Sequence, residues 1–253
     1  MMKIDPSPNT PEPAKDPSRP YPISVSIAGH QPLATHPEDE GEANSSSGLH
    51  GRPLQVSLLR QVALLEARRG DFKRAIAMLN RLITSHPSDA DHYNNRGVIY
   101  WRSGQLAAAI ADFSTALRLN PGLHNAYNNR ANLYAAQGDF SAAIADYQQA
   151  LNLNPFTVRA RINLGITFRE VKDYPAAIAY FDEALTFGKL AGQIYAERGR
   201  TYHLWGDWNC AVADYCKALP LLQIAKARQV DAPKALYQRV QDWLKQLASG
   251  KTA

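Results

Sequence analysis

A fixed period of 34 residues governs most of this chain of 253 residues. Five blocks line up without any insertion or deletion, and they begin at Val56, Ala90, His124, Val158 and Gly192. Small residues recur at the eighth, twentieth and twenty-seventh places of the blocks, and bulky apolar residues recur at the seventeenth and twenty-fourth. Such a period is typical of stacked arrays, in which each unit buries its apolar face only against its neighbours. The period therefore predicts a protein that acts through an extended surface.

Each block carries two helical patterns, because its apolar residues recur at helix spacing on either side of a short turn. Gly104, Gly138 and Gly206 lie in these turns and suit the left-handed residue that ends a helix. The small places let two helices approach closely, and the bulky places fill the space between neighbouring pairs. The sequence thus predicts an all-α array of helix-turn-helix units.

The pattern of small and large places resembles the tetratricopeptide repeat family, and Pro87, Pro121 and Pro155 close three blocks in the same manner. The amino-acid sequences of the repeats are similar to those of cyanobacterial and plastid members of this family. The resemblance implies a right-handed superhelical solenoid of five helix-turn-helix repeats, with the first helix of each lining a concave groove. The repeats would span residues 56–89, 90–123, 124–157, 158–191 and 192–225.

Two segments flank the array. Residues 1–52 are rich in proline and poor in large apolar residues, so we expect a disordered tail. The first 55 residues carry four basic and seven acidic side chains, whereas the rest of the chain is basic. Residues 231–249 carry one apolar stripe and predict a helix that caps the array.

Asparagines give the sharpest binding signal. A carboxamide both donates and accepts hydrogen bonds, so a row of them along a groove can hold the backbone of an extended peptide. The sixth place holds Asn95, Asn129 and Asn163, and the resemblance implies that such ladders grip peptides. Alternatively, these side chains pack against the neighbouring block or face water. The predicted peptide-binding asparagines are Asn94, Asn95, Asn125, Asn128, Asn129, Asn132 and Asn163.

Arginines divide into two groups. Those at the seventh place occur only in blocks with an aspartate at the twenty-third place, which predicts the structural pairs Arg96–Asp112, Arg130–Asp146 and Arg198–Asp214. Others lie on the predicted groove face, where positive charge favours an acidic partner unless it only keeps the surface soluble. From this second group we assign Arg102, Arg159, Arg169 and Arg200 to the binding site, and we add Trp101, which either stacks on a ligand or packs internally.

The sequence therefore predicts a non-catalytic, cytoplasmic adaptor or assembly factor, monomeric and without cofactor or metal, that binds an extended acidic segment of a protein. We expect no membrane span because no long apolar run occurs. No phosphate-binding loop, nucleophile motif or metal-ligand cluster points to an enzyme, and we expect His203 to be an ordinary surface side chain.

Two alternatives stay open. An RNA-binding helical repeat is disfavoured, because the basic residues form no stripe with interleaved aromatic residues. A chaperone cofactor would need a non-standard carboxylate clamp: Arg60 and Asn95 fit the family's clamp, but Leu64, Asn125 and Asn129 do not. The acidic tail either competes with a partner for the groove or is inert.

Overall fold

The computed structural model describes residues 52–227 and 234–248, and in these two stretches it contains eleven α-helices and no β-strand. The predicted all-α class is confirmed. The predicted tail lies outside the described residues except for Arg52, where the first helix begins, and so do both ends of the predicted capping segment. The helices are α1 (Arg52–Arg69), α2 (Phe72–Ser85), α3 (Ala90–Arg102), α4 (Leu106–Leu119), α5 (His124–Gln137), α6 (Phe140–Leu153), α7 (Val158–Glu170), α8 (Tyr174–Leu185), α9 (Ala191–Trp205), α10 (Trp208–Ala227) and α11 (Lys234–Ala248).

Glycine and aspartate define the turns inside the helix pairs. Gly138 and Gly206 end α5 and α9 with φ angles of 83° and 91°, and Gly104 has a φ of 81°. The left-handed conformation predicted for these glycines is confirmed. The carboxylate of Asp139 then accepts a hydrogen bond from the backbone N–H of Ala142 and caps the start of α6.

Helices pack in chain order, and among the described residues the first helices of successive pairs also touch one another. Thus α1 contacts α3, α3 contacts α5, α5 contacts α7, and α7 contacts α9. Among the described residues, no such contact joins the second helices of successive pairs. We call α1, α3, α5, α7 and α9 the inner row. The second helices of the pairs, α2, α4, α6, α8 and α10, form the outer row. Because the inner helices approach one another more closely than the outer helices do, the array curves around the inner row.

Glycines at the eighth place pack directly against buried aromatic rings. Gly97 lies so close to Phe113 that an added Cβ would meet the ring at 2.8 Å, and Gly165 has the same relation to Phe181 at 2.9 Å. The rings themselves are fully buried. Close packing at these places explains why the eighth place accepts only glycine or alanine.

The two ends of the array differ. At the C-terminal end, α11 packs against α9 and α10 and buries Leu236, Val240 and Trp243. At the other end, Leu58 and Leu65 of α1 are 61% and 47% exposed. Leu133, at the same tenth place as Leu65 but two blocks later, is fully buried. Within the described residues, α1 therefore presents a packing face that nothing covers.

Candidate inner-row binding surface

Three arginines of the inner row tie their own helix to the second helix of the pair. Arg96 donates two hydrogen bonds of 2.7 Å to the carboxylate of Asp112, and this interaction raises the pKa of the guanidinium. The structure brings together the other predicted partners in the same bidentate geometry, at 2.7 to 2.9 Å: Arg130 with Asp146, and Arg198 with Asp214. These ion pairs connect the two helices of each pair, and the three arginines are therefore already neutralised by aspartates and do not count as ligand-binding cations.

Each of these guanidinium groups also reaches back to the preceding helix pair, which the sequence did not reveal. Arg96 donates to Oδ1 of Asn80 at 2.7 Å, and Arg130 donates to Oγ of Ser114 at 3.1 Å. Arg198 makes the equivalent contact with Asp182. All three acceptors occupy the twenty-fifth place of the block before the arginine. A polar residue at that place is only a weak signal of this contact, because Gln148 also stands there although the next block has no arginine at its seventh place.

The predicted asparagine ladder divides into buried and accessible members. Asn163 and Asn132 are buried, and Nδ2 of Asn163 donates to Oδ1 of Asn132 at 2.7 Å. One step earlier, Nδ2 of Asn129 donates to Oδ1 of Asn94 at 3.0 Å. Of the two interpretations left open by the sequence, packing against the preceding block describes the geometry of Asn129 and Asn163. These four amides link α3 to α5 and α5 to α7.

The remaining predicted asparagines lie beside these links. Asn95 is half-buried, and its side chain has no hydrogen-bond partner among the described residues. Asn128 is half-buried as well, and its Oδ1 is shielded from solvent without a hydrogen-bond partner among the described residues. Asn125 is exposed at the start of α5. The open part of the ladder is therefore centred on α3 and α5.

Arg169 does not face solvent as the groove prediction required. It is buried, and its guanidinium donates at 2.8 Å to Oε2 of Glu197 on the next inner helix and lies 3.5 Å from Oε1 of Glu170. Burial lowers the pKa of Arg169, but the two carboxylates outweigh it and the net shift is upward. A charged arginine can be buried here because its charge is paired and hydrogen-bonded. Arg169 thus connects α7 to α9, like the asparagine pairs before it.

His203 is buried, so the expectation of an ordinary surface side chain is wrong. Its ring lies against Tyr215 and Trp208, and Nδ1 is 3.3 Å from the Tyr215 hydroxyl. Burial, assisted by the positive charge of Arg200, lowers the pKa of His203. Arg200 itself lies over the ring of Trp243 in the capping helix, at 5.3 Å from the ring centre. His203 thus packs α9 against α10, and Arg200 connects α9 to α11.

Further predicted binding residues remain at the surface of the inner row. Arg102 lies over the ring of Phe72 at 5.5 Å, with its guanidinium half-buried. Trp101 packs half-buried against the cluster of Phe113 and Leu133, so packing describes its position. Arg159 borders a depression of about 10 Å³ between α7 and α9, together with Ile162, Asn163 and Gln193.

This depression has room for about one water-sized group, far less than a small-molecule site of several hundred Å³. Among the described residues, no group of three or more histidine, cysteine, aspartate or glutamate side chains is arranged to hold a metal. Within the same part of the chain, no helix is both long and apolar enough for a bilayer. The surface presents amides and cations along an open row.

Comparison with known proteins agrees with this architecture. The model of the tetratricopeptide repeat matches residues 63–124 and 128–192. A MamA protein shares 19% identity with a TM-score of 0.59, over 72% of this chain and 99% of that one. TTC0263, a thermophilic TPR protein of Thermus thermophilus, shares 18% identity with a TM-score of 0.58, over 75% and 98%. PilF of Pseudomonas aeruginosa shares 20% identity with a TM-score of 0.61, over 79% and 95%.

No curated protein matches the sequence. At these identities the solved structures show the fold alone, and they agree with the predicted all-α solenoid. The division into five repeats at the stated boundaries stays a prediction.

Proposed function

Because this chain belongs to the tetratricopeptide repeat family, whose members bind protein partners, we propose that it is a non-catalytic adaptor for an extended acidic peptide segment. The peptide would lie along the inner row. The site is narrower than the asparagine ladder expected from the sequence, because Asn132 and Asn163 hydrogen-bond each other in the interior. It is centred on Asn95 and Asn128, between Arg102 and Arg159.

Unmet hydrogen-bonding capacity on α3 and α5 is the observation that carries this proposal. Asn95 and Asn128 flank the Asn94–Asn129 hydrogen bond, and neither has a described partner for its amide oxygen. A shielded acceptor without a partner is costly. The backbone N–H and C=O groups of an extended peptide would supply partners to both amides without requiring particular side chains, once the Asn128 amide turns toward the surface.

Charge supports an acidic ligand. Arg169 is neutralised by carboxylates, but the cations toward the N-terminal end of the inner row are less engaged. Arg60 is 3.8 Å from the nearest oxygen of Asp89, and Arg68 is exposed. Arg102 contacts a ring rather than a carboxylate. Such charges attract an acidic segment and raise its association rate.

A direct binding measurement tests the proposal. The probe is a fluorescein-labelled peptide of about ten residues, long enough to span the inner row, with aspartates at one end and glycine and serine elsewhere. Its neutral version carries asparagine for each aspartate. We expect the acidic probe to bind the full chain more tightly by fluorescence anisotropy, and added salt to weaken it.

The variant Asn95→Ala with Asn128→Ala should weaken the acidic probe about tenfold, since each lost hydrogen bond contributes on the order of 1 kcal/mol. Its stability should not fall, because neither amide oxygen has a hydrogen-bond partner among the described residues. Asn152→Ala is the matched control, since Asn152 is an exposed asparagine of the outer helix α6. Equal affinity for both variants, or tighter binding of an RNA oligomer than of either peptide, would contradict the proposal.

A further inference from the structure

The inner-row surface changes chemical character from one end to the other. The twelfth to fourteenth places of each block form the edge where the inner helices end. In the first two blocks this edge carries Arg68, Arg69 and Arg102. In the third block it carries the neutral Ala136 and Gln137. In the fourth block the edge carries Arg169 and Glu170, which pair with each other, and then the exposed Val171. In the fifth block it ends in the exposed apolar residues Leu204 and Trp205.

We define the aromatic edge by five residues around two consecutive turns: Val171 and Tyr174 around the α7–α8 turn, and Leu204, Trp205 and Trp208 around the α9–α10 turn. The indole of Trp205 is 51% exposed, and Val171, Leu204 and Trp208 are exposed as well. Trp205 lies 6.4 Å from the ring of Tyr174, so the two turns share one surface. A cluster of exposed large apolar side chains of this kind marks an interaction site.

The seventeenth-place ring of a block contacts a cation at one end of the inner row and an indole at the other. Arg102 lies over Phe72, the seventeenth-place ring of the preceding block. Trp205 lies against Tyr174, which is again the seventeenth-place ring of the preceding block. A guanidinium from the thirteenth place thus covers such a ring at one end, and an indole from the fourteenth place lies beside one at the other. Both arrangements suit the tryptophan-, tyrosine- and arginine-rich centres of protein interfaces.

We infer that the peptide bound by this surface is bipartite: an acidic run lies at the cationic end formed by α1 and α3, and an aromatic or large aliphatic side chain anchors on Trp205, Trp208 and Leu204. The inference rests on the proposed function and adds the chemistry of the second half of the ligand. Three steps between inner helices, each about 9 Å, separate the two ends, and an extended chain covers that distance in about eight residues.

Anisotropy with modified probes tests this. To the aspartate probe we add a phenylalanine about eight residues from the acidic run, in one peptide on its C-terminal side and in another on its N-terminal side. At least one order should bind the full chain about tenfold more tightly than the probe with serine in place of phenylalanine, as expected for one buried aromatic anchor.

Two variants test whether the aromatic edge is the site at which the phenylalanine of the probe binds. Trp205→Ala and, separately, Leu204→Ser should remove the advantage of the phenylalanine and leave the affinity of the serine probe unchanged. Both side chains are exposed, so the fold should be retained, which circular dichroism checks. Ile224→Ala is the matched control, because Ile224 is an exposed apolar residue of α10 away from the two turns.

The outcomes separate the inference from the proposed function. If the acidic probes bind but phenylalanine adds nothing in either order, the bipartite ligand is refuted and the acidic adaptor stands. If phenylalanine helps but Trp205→Ala and Leu204→Ser leave the gain intact, the anchor site is misplaced and the inference fails. If no probe binds, both fall. A neutral peptide with phenylalanine that binds through Trp205 would support the aromatic edge and contradict the acidic part of the proposed function.

Discussion

Nδ2 of Asn163 donates a 2.7 Å hydrogen bond to Oδ1 of Asn132, and the hydroxyl of Tyr147 donates to the same oxygen at 2.6 Å. All three side chains are buried. Burial raises the pKa of the Tyr147 hydroxyl, so that it remains a donor at any physiological pH. One amide oxygen thus joins α5, α6 and α7, and this shared acceptor sets the register between two helix pairs.

Asn163→Ala should lower the free energy of unfolding by about 1 kcal/mol, because it removes one of the two hydrogen bonds to Oδ1 of Asn132 while that of Tyr147 remains. Asn95→Ala, at the same sixth place, should change it by less than about 0.5 kcal/mol, since no described residue depends on that side chain. Chemical denaturation of both variants measures the difference. Equal losses would mean that the two asparagines play the same structural role.

Asp146→Ala should destabilise the protein by about 3 kcal/mol, because the Arg130 guanidinium keeps its charge in a partly buried position without its carboxylate partner. The fourth block holds Leu164 and Tyr180 at the same two places. The double variant Arg130→Leu with Asp146→Tyr copies that combination and should recover most of the loss. Thermal and denaturant unfolding check this. A double variant no more stable than the single one would show that the pair is not replaceable by apolar packing.

Leu133→Ala and Leu65→Ala make the same change at the tenth place of two blocks. Leu133 is fully buried between successive helix pairs, so truncation should cost about 2–5 kcal/mol through lost contacts and a cavity. Leu65 is 47% exposed on the uncovered face of α1, so its truncation should cost less than about 1 kcal/mol. A cost at Leu65 as large as that at Leu133 would reveal that something covers α1 in solution.

Stability should fall as the pH drops from about 7 to 5. Burial, as the largest cause, lowers the pKa of His92 and of His203 in the folded protein. Below the unfolded value of about 6.5, the unfolded chain therefore binds protons that the folded chain resists. The contribution is fully present above that pH and is lost as the pH falls toward the folded pKa values.

The variant His92→Ala tests one part of this pH dependence. The same third place holds the buried alanines Ala126 and Ala160 in later blocks, so the fold accepts alanine there. We expect a lower free energy of unfolding at pH 7.5 but a smaller further loss at pH 5.5 than in the parent protein. An unchanged difference between the two pH values would assign the effect to other groups.

Much of the fold was predictable because it depends on local signals repeated at a fixed spacing. The turn glycines Gly138 and Gly206 adopt the expected left-handed conformation, since only a residue without Cβ does so at no cost. Co-occurrence of Arg130 with Asp146, and of Leu164 with Tyr180, indicated which side chains face each other inside a helix pair. Contacts within a helix pair can be predicted in this way because the same two places of the repeat change together from block to block.

Side-chain contacts between successive helix pairs were harder to predict from the sequence. The Arg169–Glu197 pair and the Asn132–Asn163 bond each occur once, so no recurrence within the chain distinguished them from solvent-facing groove residues. The aromatic edge was missed for a related reason: Trp205 and Tyr174 lie in different blocks and 31 residues apart, and their proximity follows from the stacking of the blocks.

The sequence by itself determined the all-α class, the helix-turn-helix pattern and the turn chemistry, because each depends on residue spacing within one short segment. The tertiary structure decided which polar side chains of the inner row are available to a ligand. Availability depends on the angle and distance at which one helix pair meets the next. These distances bury Asn163 and Arg169 against their neighbours and leave Asn95 and Trp205 accessible.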